Sequence, residues 1–312
     1  MSISVSGNYY GGGAGVDSYK TTSKFIPDIW SGKLQVKFYK STVLGEITNN
    51  DWEGEIKGQG DKITIRSIPN ITINSYSKGM NLSNQVPTST PIDLLIDKGK
   101  YFAVILDDVD KVQADVQLMD MFTSDAAEQM KIAIDSDVLD GVKSAAAAAN
   151  LGATAGAISA NLNLGTDAAP RAVSKSTVLD FILDMGQALD EQNVPETGRW
   201  MVVPAWMAAI VKGSDLKQAY LTGDSVSPLR NGKIGMIDRF TMYVSNNLPR
   251  TGDNDSYIMA GTRDAISFAS QMTSVETIRS TDTFGNIVRG LNIYGYGVTK
   301  PEALVRGIVV KT

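Results

Sequence analysis

The chain contains neither cysteine nor histidine in its 312 residues. The first absence removes disulfides, thiolate nucleophiles and cysteine-based zinc sites together. The second removes the usual general base near neutral pH and the commonest metal ligand. Ser-His-Asp triads and histidine metal sites are therefore excluded. No run of about 18 apolar residues occurs, and the N-terminus has no charged region followed by an apolar one. A soluble protein that remains in the cytoplasm where it is made is the expectation. Lysine and arginine form no block and the net charge is −5, so a nucleic-acid-binding tail or groove is not suggested. What is present is ordinary: 43% hydrophobic and 20% charged residues, enough for one large or two medium cores.

The most regular stretch runs from Val109 to Ala145. Its apolar residues are Val109, Val112, Val116, Met119, Phe122, Ala126, Met130, Ile134, Val138, Val142 and Ala145, a mean step of 3.6 residues. That is the period of an α-helix with one buried stripe. Asp110, Gln113, Asp120, Ser124, Glu128, Lys131 and Asp135 fall on the other face, which should be solvated. Such a helix is about 50 Å long, as long as a compact globule of this size is wide. A flat or elongated molecule follows. Asp125-Ala126-Ala127-Glu128 has the form of a capping box, so the helix starts or kinks there, or runs through.

Before this helix, residues 1–23 are rich in Ser, Gly and Tyr and read as a mobile arm, or one that orders only against a partner. An apolar segment from Phe25 to Phe38 follows. From Trp52 the period becomes two: Trp52, Gly54 and Ile56 alternate with charges, and after Gly58-Gln59-Gly60-Asp61, so do Ile63 and Ile65. This predicts a β-hairpin with a glycine-rich turn, continued as a strand by Ile71 and Ile73. A lone hairpin is marginal in water, so it should pack on something else. Leu94–Ile96 and Tyr101–Ile105 read as strands.

Beyond the helix, residues 145–164 are Ala/Gly/Asn-rich and predict a mobile connector. Ser174 is placed to cap a helix carrying Val178, Ile182, Met185 and Leu189. Trp200–Val203 reads as a buried strand, and Pro204 suits the first turn of a helix over Ala205–Lys212. Residues 213–232 read as polar loop, followed by short strands at 234–237, 240–244, 257–260 and 265–268. The remainder is extended, at 275–278, 287–298 and 303–310. These last strands are expected to pair with those at 94–106, enclosing residues 165–270 as an insertion.

Several patterns approach catalytic motifs without completing them. Ser75-Tyr76-Ser77-Lys78 and Ser214-Asp215-Leu216-Lys217 both fit Ser-x-x-Lys, but the companion Ser-Asp-Asn and Lys-Thr-Gly elements are missing. Gly223–Ser227 lacks the last glycine of a nucleophile elbow and any histidine base. Gly11–Gly15 has no Gly-Lys-Ser/Thr ending and so is no phosphate loop. Asp135–Gly141 echoes a calcium loop, but its third acid is one place late and no glutamate closes it; a solvated acidic face is the better reading. Asp107-Asp108-Val109-Asp110 suits a helix N-terminus, and Asp253-Asn254-Asp255 a turn. No catalytic, cofactor or metal residue is therefore assigned. Trp200 and Trp206 are expected in the core, whereas Trp30 and Trp52 lie in segments too thin to bury them and should contact a neighbouring subunit.

Five segments, in order, resemble the major capsid proteins of tailed bacteriophages. These are Gly60–Ile65; Ile96–Phe102 leading into Asp107–Gln113; Val202-Val203-Pro204; Gly235–Pro249; and the glycine-rich strands ending in Pro301–Val305. The resemblance spans about residues 25–312 and implies an α+β, HK97-like fold. It implies an N-terminal arm at 1–45, an extended β-hairpin loop at 46–80, and a peripheral domain with a spine helix at 81–164. An axial domain at 165–272 and returning peripheral strands at 273–312 complete it. It further implies hexamers and pentamers in an icosahedral shell around double-stranded DNA, held without sequence-specific binding, assembled in the host cytoplasm with no membrane. A separate scaffolding protein, a portal and, in some relatives, a decoration protein are the implied partners. Subunit contacts are expected at Trp30, Trp52, Lys57, Gly60, Lys62 and Arg66; nothing in the sequence identifies a lysine cross-link at Lys57 or Lys62. A shell enclosing cargo protein, as in encapsulins, and a Ser-Lys hydrolase are the alternatives.

Overall fold

Among the described residues, a six-stranded sheet, a three-stranded sheet, a two-stranded ladder and one long helix organise the chain. The computed structural model describes residues 39–51, 62–66, 68–69, 71–89, 91–107, 118–214, 235–252, 254–281 and 283–312. In chain order the first elements are a short helix α1 (Leu44–Ile47) and strands β1 (Lys62–Arg66), β2 (Pro91–Leu95) and β3 (Lys98–Asp107). The long helix α2 (Leu118–Val142) follows, then β4 (Arg171–Val173), α3 (Val178–Glu191), β5 (Arg199–Val203) and α4 (Ala205–Lys212). Strands β6 (Met236–Ile237), β7 (Phe240–Val244), β8 (Asp255–Thr262), β9 (Ile266–Arg279), β10 (Gly285–Val298) and β11 (Leu304–Lys311) complete the fold.

The larger sheet has the order β4-β11-β8-β5-β7-β6 and mixes parallel with antiparallel pairs. Its middle strands are buried almost throughout, which is why Trp200–Val203 reads as a continuous apolar run. On α3, Val178, Ile182, Met185 and Leu189 are all fully buried. The helix starts later than the Ser174 cap predicts. Residues 174–177 form a turn in which the Ser174 carbonyl accepts from Thr177 and Val178, while the Ser174 N–H donates to Thr177 Oγ1 (3.0 Å). Helix α4 begins at Ala205, directly after Pro204, as expected.

The smaller sheet is β3-β10-β9, antiparallel throughout. Here β10 does pair with the strand near residue 100, Leu291 opposite Tyr101 and Ile287 opposite Ile105. The final strand corrects the expected pairing. Strand β11 joins β8 and β4 in the larger sheet. Its run Leu-Val-Arg-Gly-Ile-Val-Val is buried along nearly its whole length, and only a sheet interior supplies cover on both sides of a strand.

Helix α2 packs on β3 and β10. It is continuous through Asp125, so the capping-box pattern there neither starts nor breaks it. Met130, Ile134, Val138 and Val142 are buried, while Phe122, nearer the N-terminal end of the described helix, is exposed. Residues 108–117 lie outside the described part. Asp135 is a second correction: it is not on a solvated face but fully buried. Its Oδ1 accepts the N–H groups of Val43 (3.0 Å) and Leu44 (3.2 Å), and its Oδ2 the side-chain amide of Asn247 (2.6 Å). Burial pushes its carboxyl above the ordinary carboxylate value, and these donors oppose that shift.

The Ala/Gly-rich stretch 145–164 is also ordered, against expectation. Ala155 and Leu162 exchange backbone hydrogen bonds, and buried Asn150 donates to the carbonyls of Glu302 (2.7 Å) and Leu304 (2.9 Å). Glu191, at the end of α3, accepts the N–H groups of Ile158 (2.8 Å) and Ser159 (3.0 Å). The bond from Ser159 leads the effects that lower its pKa from 4.5 to about 2. Because the folded value is depressed, this clamp contributes fully above about pH 4.5 and is lost as the pH falls towards 2. Glu191→Ala is expected to speed amide exchange at residues 156–160 without changing exchange in β5; protection that stays unchanged at Ile158 and Ser159 would refute the clamp.

Candidate functional site

The chain between β1 and β2 carries a run of exposed apolar side chains among the described residues. Ile71 and Ile73 form no strand, contrary to the alternation-based expectation, and among the described residues no partner strand completes a ladder with them. Ile68 (93%), Ile73 (89%) and Val86 (87%) are almost fully exposed, with Ile71, Tyr76 and Leu82 also outward. Apolar side chains this concentrated and this exposed mark an interaction surface. The segment still has shape. Gln85 bridges its two arms, accepting the Thr72 N–H (3.1 Å) and donating to the Thr72 carbonyl (3.3 Å). A turn closes at Met80 N–H to Ser77 carbonyl (3.1 Å), with Gly79 at φ +87°, a conformation that favours glycine.

Strands β1 and β2 hold this segment at its root. They pair antiparallel, Lys62 opposite Leu95 and Arg66 opposite Pro91. Ile63 and Leu94 point inward and, with Ile96, Ala269 and Ile293, form a small separate core. Close approach is possible because position 295 is glycine: a Cβ there would stand 2.1 Å from the Leu95 carbonyl oxygen. On the outer side Asp93 accepts from Lys62 Nζ (2.7 Å) and Thr64 Oγ1 (3.0 Å). The bond from Lys62, then that from Thr64, holds the Asp93 carboxyl below its ordinary value.

A second uncovered apolar surface lies on the smaller sheet. Tyr101, Ala103 and Ile105 of β3 stand directly opposite Leu291, Arg289 and Ile287 of β10, so they share one face. Tyr101 is 78% exposed and Ile105 half exposed. An Arg289–Glu276 ion pair crosses from β10 to β9 on the same face.

Of the contact residues expected from sequence, Lys62 and Arg66 lie on β1 with exposed side chains. Trp30, Trp52, Lys57 and Gly60 lie outside the described residues, as does the first arm of the expected hairpin. Trp200 is buried, and Trp206 is half-buried with its indole N–H on Ser256 Oγ (3.3 Å). Sequence reasoning missed Ile68, Tyr76, Leu82 and Val86. Their signal was apolar residues scattered among Ser, Asn, Thr and Pro with neither helical nor strand period.

The catalytic near-misses do not converge. Ser75 and Lys78 lie in the exposed segment, and the Ser214 hydroxyl is buried, donating to the Val211 carbonyl (2.6 Å). Lys217 and Gly223–Ser227 lie outside the described residues. Asp137, from the calcium-like string, accepts from Lys98 Nζ (3.1 Å) and the Tyr294 hydroxyl (2.9 Å), joining α2 to β3 and β10. Among the described residues no group of acidic side chains is placed to hold a metal ion.

Comparison with known proteins gives this geometry its context. A family model described as phage capsid protein matches residues 92–307. No curated protein matches the sequence. Among solved structures, a chain of Mycobacterium phage Che8 superposes with a TM-score of 0.72 at 28% identity, covering 91% of this chain and 97% of that one. The capsid of cyanophage P-SCSP1u follows at 0.66 and 14% identity, covering 93% and 94%. The mature capsid of bacteriophage PhiM1 gives 0.63 and 14%, covering 92% of each. An exposed apolar loop on a fixed root, a helix-backed sheet and a second mixed sheet thus occur in a chain that belongs to the phage capsid protein family: it is a tailed-phage major capsid protein with the HK97-like fold, a structural subunit of the virion that assembles into capsid shells.

Proposed function

We propose that this subunit assembles as hexamers and pentamers into an icosahedral shell that encloses double-stranded DNA. The observation that carries the reading is the apolar segment 68–86, exposed on the single chain yet fixed at its root by β1 and β2. Leaving that much apolar surface in water is costly, and a neighbouring copy removes the cost. The contact set is proposed to include Trp30, Trp52, Lys57, Gly60, Lys62 and Arg66. In this reading residues 165–272 supply most of the axial domain, and 81–164 with 273–312 the peripheral domain, the last strand crossing to the axial sheet. A net charge of −5 suits a container that encloses phosphate backbones without gripping them. Assembly in the host cytoplasm, with a separate scaffolding protein, a portal and optionally a decoration protein, belongs to the same proposal.

Electron microscopy of the expressed chain, with nuclease-protected nucleic acid assayed in phage particles, tests it. Closed particles with five-fold and six-fold clusters and protected DNA are expected. Open sheets or tubes alone would overturn the hexamer–pentamer reading, and particles filled with protein would favour the cargo shell.

A further inference from the structure

Besides the long connection from β3 through α2 to β4, two short passages join the two sheets. The β8–β9 passage is Arg263–Ala265, and the β10–β11 passage contains Pro301–Ala303. These bond to each other, Thr299 and Lys300 both donating to the Ala265 carbonyl. The angle between the sheets is set by what packs across these passages, where one core is shared.

The strap of residues 39–51 is the element that bonds to both sheets and to the joint between them. On the side of the larger sheet, Ser245 Oγ and the Asn247 amide donate to the Ser41 carbonyl (2.9 and 3.3 Å), and the Tyr243 hydroxyl reaches Glu46 (3.3 Å). On the side of the smaller sheet, Asn49 donates to the Ile266 carbonyl (2.8 Å) and accepts from Phe268 (3.0 Å). At the joint itself, Arg263 bonds the Glu46 carbonyl (2.8 Å) and carboxylate (3.1 Å). Val43, Leu44 and Ile47 sink into the common core. The strap meets the long helix at Asp135, which takes two of its backbone N–H groups and, through Asn247, ties in the end of β7.

We infer that residues 39–51 are an intramolecular clasp that fixes the angle between the two sheets, with the Asp135 carboxylate as its latch. Each sheet keeps its own ladder, so opening the clasp frees the angle without unfolding either one. The inference concerns the single subunit and does not depend on how subunits assemble. Asp135 is a positioning residue here: it acts through the strap.

The chain has no native cysteine, so Tyr101→Cys on β3 and Leu183→Cys on α3 give a clean spin-labelled pair at exposed positions of the two halves. In the unassembled full-length chain one narrow distance distribution is expected. Asp135→Ala should broaden it and raise amide exchange at Val43 and Leu44 about tenfold or more, the loss expected when such bonds are removed, with β5 and β8 unchanged. Glu46→Ala, an exposed change, should broaden it less. A distribution that stays narrow while the strap exchanges freely would overturn the clasp. So would exchange that rises equally in β5 and β8. Should Asp135→Ala fail to fold, Asp135→Asn and Glu46→Ala decide: broadening in both supports the clasp, and a narrow distribution in both overturns it.

Discussion

Replacing Ile71 and Ile73 together with serine is expected to abolish shell formation while leaving the isolated subunit as stable as before. Both side chains stand in water on the single chain, at 64% and 89% exposure. Their removal takes nothing from the subunit's core, and surface changes of this kind stay within about 0.5 kcal/mol. In the proposed shell the same side chains gain cover, and burying each isoleucine is worth roughly 1.5–3 kcal/mol. That loss recurs at every subunit contact, so a modest change per copy removes the assembled state. Sedimentation and thermal melting measure the two halves of the expectation. Normal shells from the double variant would show that this segment is not an assembly contact. Ile63→Ser makes the contrast, because Ile63 faces the small core beneath the ribbon and its loss should lower subunit stability first.

The second large effect is in the interior of the bigger sheet. Phe181→Ala is expected to destabilise the subunit by about 3–5 kcal/mol, the range for emptying a buried aromatic site. The ring is fully buried on α3 and lies over Gly307 of β11, where a Cβ would come within 2.5 Å of it. The Arg171 guanidinium stands over the same ring, 5.5 Å from its centroid. Strand β11 is held between β8 and β4, so its backbone cannot move in to fill the space. Leu183, two residues on and half exposed, serves as the control: Leu183→Ala should cost little. Denaturant unfolding of both variants measures the difference, and equal values would refute the packing described for Phe181.

The elements that were legible in the sequence are those whose cause is local. Pro204 fixes the first turn of α4, and four apolar residues at helical spacing mark α3 from Val178 to Leu189. Strands β5 and β7 announce themselves as short apolar runs. What was not legible depends on partners distant in the chain. Helical periodicity puts Asp135 opposite the apolar stripe, but its donors sit 92 residues earlier at Val43 and 112 later at Asn247. The composition of 145–164 says only that side chains are small there. Order comes from backbone bonds and from Asn150, which reaches residues 152 and 154 positions away. Strand β11 reads as buried on both faces, yet burial does not name its sheet. The apolar segment 68–86 was misread for a different reason. Alternation implies a strand only if a second strand completes it, and among the described residues none does.

Strand β9 and strand β10 pair from Asn286–Arg279 to Val298–Ile266, with one bulge at Leu291–Asn292 that shifts the register. Their hydrogen bonds lie across the strand direction. A pull applied along the strands therefore loads the whole ladder in shear, and every rung must fail together rather than one after another. In a chain with no disulfide to carry tension, a pull along β9 and β10 is borne by that ladder.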